Sequence, residues 1–131
     1  MQHSSDASSA NRPLTEAELN LCRWMLEHSS TQAQSYLSQL ELAEVTSWRC
    51  PCGCASINFQ VQGSSPPASQ GIKPISEFVF GGPADLSCIF LYVQYGGVLG
   101  GLEVYGLAGD APRVLPTSDL LRPWENAGSA A

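Results

Sequence analysis

The run from Leu86 to Tyr95, with Gly96-Gly97 after it and a return from Val98 to Tyr105, constrains the fold more than any other stretch. It is the most apolar run in the chain and reads as a central strand covered at least in part on both faces. Consecutive glycines supply the positive φ that a two-residue hairpin turn demands. The resulting register pairs Ile89 with Val104, Leu91 with Leu102 and Tyr95 with Val98 on one face. Cys88, Phe90, Tyr92 and Gln94 then oppose Tyr105, Glu103, Gly101 and Leu99 on the other. One face is aliphatic and needs a cover; the other is aromatic and polar.

The cover is legible upstream. Thr15-Glu16-Ala17-Glu18 is a capping box, with Leu14 and Leu19 placed for a hydrophobic staple. Leu21, Cys22, Met25 and Leu26 follow at helical spacing with Trp24 at the margin, so Cys22 reads as core. Ser29 or Ser30 can cap a second helix running to about Val45, carrying Ala33, Tyr36, Leu37, Leu40 and Ala43 on one side. The short join predicts an antiparallel pair. The expected fold is therefore α+β, an N-terminal antiparallel helix pair packed on one face of a four- to five-stranded antiparallel sheet of hairpins. Residues 1–13 read as a disordered tail, 14–125 as a single domain and 126–131 as a flexible C-terminal tail.

Between these parts lies Thr46 to Val61, which holds three of the five cysteines. Ile57, Phe59 and Val61 share one parity, whereas Trp48, Cys50 and Cys52 share the other. A two-residue turn at Gly53-Cys54 reconciles them, pairing Cys52 with Ala55, Cys50 with Ile57 and Trp48 with Phe59. The competing turn over Pro51-Cys52-Gly53 sets Trp48 opposite Ser56 and loses the shared face. In the favoured hairpin Cys50 and Cys52 are small core hydrophobes, and Cys54 lies at an exposed tip. The other reading is a metal or redox site at Cys50, Cys52 and Cys54, with zinc as the cofactor and Cys22, Cys88 or His28 as fourth ligand. An extended strand opposes it, because alternate residues are about 6.6 Å apart and thiolates on one zinc about 3.8 Å.

The rest of the chain supplies fewer constraints. Gly63 to Gly71 is a long loop, Phe78 to Phe80 a short strand closed by Gly81-Gly82-Pro83. Val114, Leu115, Leu120, Leu121 and Trp124 are too apolar to hang free, and Pro112, Pro116 and Pro123 break them into pieces that could lie along the sheet. Six basic residues against twelve acidic ones give a net charge of −6, which repels phosphate backbones and excludes a nucleic-acid binder. No run reaches membrane-spanning length and no signal sequence opens the chain, so no membrane partner is expected and the location reads as cytoplasmic. An odd number of cysteines agrees with a reducing compartment.

No motif of a known catalytic class is present. The predicted binding surface is the polar sheet face, Asn58, Gln60, Tyr92, Gln94, Glu103 and Tyr105, since tyrosines offer large contact area with few rotamers to freeze. A non-enzymatic module that binds a protein or small-molecule ligand there, or a homodimer through an open sheet edge, is the expected function. Two alternatives stand beside it: a thiol or metal-binding module at the cysteine stretch, and a small enzyme with Glu103 as acid/base, assisted by Tyr92 or His28.

The capped helix pair, Cys50-Pro51-Cys52-Gly53-Cys54-Ala55-Ser56-Ile57 and Leu102-Glu103-Val104-Tyr105 together resemble small uncharacterised bacterial proteins over residues 14 to about 110. In size and acidic character the chain is also similar to proteins of mobile gene cassettes and to immunity proteins that neutralise a toxin. These resemblances imply an α+β fold and bring no activity with them.

Overall fold

Thr15 begins the main helix as its sequence dictates. Its hydroxyl accepts from the Glu18 amide at 3.1 Å, and the Glu18 carboxylate accepts from the Thr15 amide at 2.9 Å. In this computed structural model, which describes residues 11–63, 71–94 and 96–125, that helix is α1 (Glu16–Glu27). The expected tails over 1–10 and 126–131, most of the Gly63–Gly71 loop and Tyr95 lie outside the described residues.

Six antiparallel strands follow the order β1-β2-β3-β6-β5-β4: β1 (Arg12–Pro13), β2 (Ala43–Val45), β3 (Ile57–Val61), β4 (Ile72–Phe80), β5 (Ser87–Gln94) and β6 (Val98–Gly106). The architecture is α+β, as expected, with residues 12 and 13 drawn from the predicted tail into β1. Leu21, Cys22, Met25 and Leu26 of α1 form one buried core with Phe59, Val61, Ile89, Leu91, Leu102 and Val104, so the helix covers the aliphatic face. Among the described residues no helix is long and apolar enough to cross a membrane.

The second helix is not continuous. It is two single turns, α2 (Thr31–Gln34), capped by the Ser30 hydroxyl on the Ala33 amide at 3.0 Å, and α3 (Leu37–Leu40). Ala43 to Val45, predicted as its last turn, is β2 instead, with Val45 opposite Phe59 and Ala43 opposite Val61. Strand β3 has a free edge there, and the backbone bonds and side-chain burial it offers outweigh the helical preference of a short segment.

The β5–β6 register is the expected one from Cys88↔Tyr105 to Tyr92↔Gly101. Past Gly100 it shifts by one, to Val93↔Leu99 and Gln94↔Val98, so Val98 pairs with Gln94 instead of the predicted Tyr95. Gly97 donates to the Gln94 carbonyl at 2.9 Å. Strand β4 is also longer than the predicted Phe78–Phe80, because it lies at the sheet edge, where Pro74 and the bulge beside it are tolerated. Its outer edge receives Arg122, which exchanges two backbone bonds of 2.9 Å with Val79, and Leu121 is buried beside it. The C-terminal segment thus runs along an edge, and blunts it.

Glu18 joins helix to sheet. Both Arg12 Nη atoms on β1 donate to its carboxylate at 2.9 Å. Burial opposes ionisation of Glu18, but the bonds from Arg12 and Thr15 outweigh it and hold the carboxyl below the usual range. Glu18→Gln keeps the cap and removes the charge, so it is expected to cost about 1 kcal/mol at pH 7. Because the folded-state pKa is depressed, that difference is full above the ordinary carboxylate pKa and closes as pH falls through the depressed one. Urea titrations of both proteins at neutral and acid pH check it; a gap that does not narrow in acid removes the ion pair from the account.

Candidate metal centre

After β2 the chain leaves the sheet. The Thr46 amide still reaches the Asn58 carbonyl at 3.0 Å, but the loop from Ser47 to Ser56 carries no strand. It closes by a turn over Cys50-Pro51-Cys52-Gly53, in which the Gly53 amide donates to the Cys50 carbonyl at 2.9 Å. Pro51 presets φ at the first central position, and Gly53 takes φ +83°, where a side chain is strained.

This overturns the predicted hairpin. Val45, not Trp48, lies opposite Phe59, and Trp48 is 42% exposed. Cys50 is half-buried and Cys52 exposed, so neither is core; Cys54, placed at the exposed tip, is half-buried against the core. The competing turn wins because β2 already occupies the edge of β3 that a 48–52 strand would need.

Curling the loop brings the three thiols together. The sulfurs of Cys50, Cys52 and Cys54 all lie within 4.8 Å of one another, with Cys50 Sγ 3.0 Å from Cys52 Sγ. The Cys54 amide donates to Cys52 Sγ at 3.4 Å, and the Cys54 thiol to Ser56 Oγ at 3.2 Å. Ser56 is itself fixed, its hydroxyl accepting from the Val104 amide at 3.0 Å on β6. Neither Cys22 nor Cys88 joins the cluster: both are fully buried elsewhere. His28 ends α1 with its ring stacked on Trp24, centroids 4.2 Å apart, and Nδ1 2.8 Å from the Trp24 carbonyl oxygen. Among the described residues no histidine or carboxylate adds to the three sulfurs.

The thiols are electrostatically unequal. Partial burial works against the Cys54 thiolate, but hydrogen bonds from Ser56, side chain and backbone, and from Cys50 and Cys52 bring its pKa down to about 7. Cys52 is pushed up to about 11, chiefly by its bonds to Cys50 and Cys54. Cys54 therefore ionises before Cys52, and in metal-free, reduced protein its alkylation by iodoacetamide is expected to rise with a midpoint near pH 7. Ser56→Ala should move that midpoint upward. Peptide mass mapping across pH reads this directly, and equal labelling of all three cysteines with an ordinary midpoint would contradict the arrangement.

Positive charge surrounds the loop. A cleft of about 750 Å³ beside Cys50 and Cys54 is lined by Arg12, Arg49 and Arg113, half of the chain's basic residues. The Pro112 carbonyl accepts from the Ala55 amide at 2.9 Å, which holds the Arg113 guanidinium against Gly53 with Nη1 3.5 Å from its carbonyl oxygen. Ser56 and Arg113 were not among the predicted site residues. By alternation Ser56 falls on the parity opposite Ile57, Phe59 and Val61 and so reads as solvent-facing, and Arg113 comes from sixty residues beyond Gly53 with only its sign in an acidic chain to mark it.

The predicted sheet-face residues lie apart from the thiols. Tyr92 is 9% exposed; its ring lies over Gly100 and Gly101, and its hydroxyl donates to Asn58 Oδ1 at 3.0 Å. Phe90 stands between Tyr92 and Tyr105, with ring centroids 6.0 Å from each. Tyr105 is pushed up to about 12, mainly by its hydrogen bond to Cys88. Glu103, Gln94 and Tyr105 are half-buried, and the exposed Gln60 accepts from Asn11 at 2.8 Å. No protein family, curated protein or solved structure matches the chain.

Proposed function

We infer that the protein is a small non-enzymatic metal-binding module in which Cys50, Cys52 and Cys54 hold one thiophilic cation, zinc or copper(I). The observation that carries this is the convergence of three sulfurs within 4.8 Å, which brackets the separation of about 3.8 Å between thiolates on one zinc. Thiolates select soft or borderline cations over magnesium and calcium. Three protein ligands leave one position open on a tetrahedral zinc, whereas copper(I) is content with fewer. The positive cleft offsets the negative charge that three thiolates bring together.

A second reading, protein recognition by the face bearing Asn58, Gln60, Tyr92, Gln94, Glu103 and Tyr105, is supported by the aromatic row Tyr92-Phe90-Tyr105. It ranks below the first because the Tyr92 ring and hydroxyl are already engaged inside the sheet.

The test is elemental analysis of protein purified without chelator, with cobalt(II) substitution and thiol titration. One metal per chain, thiolate-to-cobalt charge transfer, and three thiols that react only after chelator is added are expected for the site. Freely reactive thiols in protein that takes up no metal would remove the reading.

A further inference from the structure

The cleft beside the thiols is unusual in charge for so acidic a chain. The chain carries a net charge of −6, yet this one cleft gathers Arg12, Arg49 and Arg113 around a single carboxylate, Glu18. Glu18 is fully engaged by Arg12. No carboxylate among the described residues pairs with Arg49 or Arg113, both of which are exposed. Arg49 and Arg113 thus line the cleft without a carboxylate partner, Arg113 resting by Nη1 on the Gly53 carbonyl at 3.5 Å, and each carries the planar fork that takes a carboxylate in two parallel bonds. The volume, about 750 Å³, is that of a small-molecule site and not of a single ion. Cys50 and Cys54 line the same cleft, so a molecule held by the arginines has the sulfurs within its boundary.

We propose that the cleft binds a small anionic thiol, its carboxylates on Arg49 and Arg113 and its sulfur in the coordination position that Cys50, Cys52 and Cys54 leave open. This rests on the metal-binding reading. On binding, a metal–sulfur bond replaces a metal–water bond, the thiol proton passes to solvent, and no electrons are transferred. The ligand class follows from the two halves of the cleft: a thiol without carboxylates ignores the arginines, and a dicarboxylate without a thiol ignores the metal.

Calorimetric titration of the zinc-loaded protein with mercaptosuccinate, succinate and 2-mercaptoethanol tests it, zinc content being measured in the same samples. Mercaptosuccinate is expected to bind at least about tenfold more tightly than either partial ligand. In the Arg49→Gln, Arg113→Gln double variant, loaded to the same zinc content, the advantage over 2-mercaptoethanol should vanish. Both positions are exposed, so the fold is expected to survive, and circular dichroism verifies it. In cobalt-substituted protein, charge-transfer absorption should gain intensity when mercaptosuccinate is added and not when succinate is. Equal affinity for the two thiols, or an advantage that persists without the arginines, overturns the proposal and leaves the metal site standing. Failure to load either zinc or copper(I) overturns both.

Discussion

Gly101→Ala is expected to destabilise the protein by at least about 3 kcal/mol, the largest stability effect of any single substitution considered. Gly101 lies on β6 directly between two neighbours. A Cβ built there falls 2.6 Å from the Ile57 carbonyl oxygen of β3 and 2.6 Å from the Tyr92 hydroxyl that crosses from β5. The hydroxyl can move, but the carbonyl is part of the β3–β6 ladder, in which Ile57 pairs with Leu102 and Asn58 with Gly101. Relief therefore requires the two strands to part. Tyr92→Phe in the same chain removes the hydroxyl oxygen but leaves the ring carbon at 2.9 Å and the carbonyl in place, so the double variant should recover only a small part of the loss. Gly82→Ala is the control: its Cβ meets only Asp85 Oδ1 at 3.6 Å, an ordinary contact, and stability should stay within about 0.5 kcal/mol. Urea midpoints followed by circular dichroism measure the three variants against the unaltered chain. A loss below about 1 kcal/mol in Gly101→Ala would mean that β3 and β6 are not packed as closely as described.

What the sequence disclosed follows the range of the interactions involved. The capping box at Thr15 and Glu18 is decided by neighbours three residues apart and was legible in full. The β5–β6 register was legible wherever side chains report the parity of the strand, and failed past Gly100, which has no side chain to report it. Residues 43–45 look helical by spacing, and only their pairing with Phe59 and Val61, far along the chain, makes them a strand. The same pairing decides the cysteine loop. Parity favoured a hairpin with Trp48 opposite Phe59, but Val45 holds that position, which frees Cys50 to Gly53 to turn and bring the sulfurs together. Sequence named the three candidate ligands and could not place them. The cleft was hidden entirely, since it joins Arg12, Arg49 and Arg113 from three separate parts of the chain.

The largest functional effect is expected from the thiols themselves. If structural zinc sites with four ligands bind with about 10–16 kcal/mol, one ligand is worth roughly 3–4 kcal/mol, so each of Cys50→Ser, Cys52→Ser and Cys54→Ser should weaken zinc by about 10²–10³-fold. The triple variant should bind none that survives a competing chromophoric chelator. Stability of the metal-free protein should change little in Cys50→Ser and Cys52→Ser, whose side chains lie in a loop outside the core, and somewhat more in Cys54→Ser, which packs against its edge. Cys22→Ser gives the opposite pattern. Cys22 is fully buried, so a hydroxyl there loses its solvation and costs about 1–3 kcal/mol of stability while zinc affinity stays as it was. Zinc affinity also falls as pH falls, since all three sulfurs must release protons to bind, and Cys52, pushed up to about 11, does so well after Cys54 in the absence of metal. Copper(I) separates the two candidate cations. A two-thiolate copper site tolerates the loss of one cysteine, whereas a three-thiolate zinc site tolerates none, so the three single variants, each titrated with both metals, identify which cation the loop is built to hold.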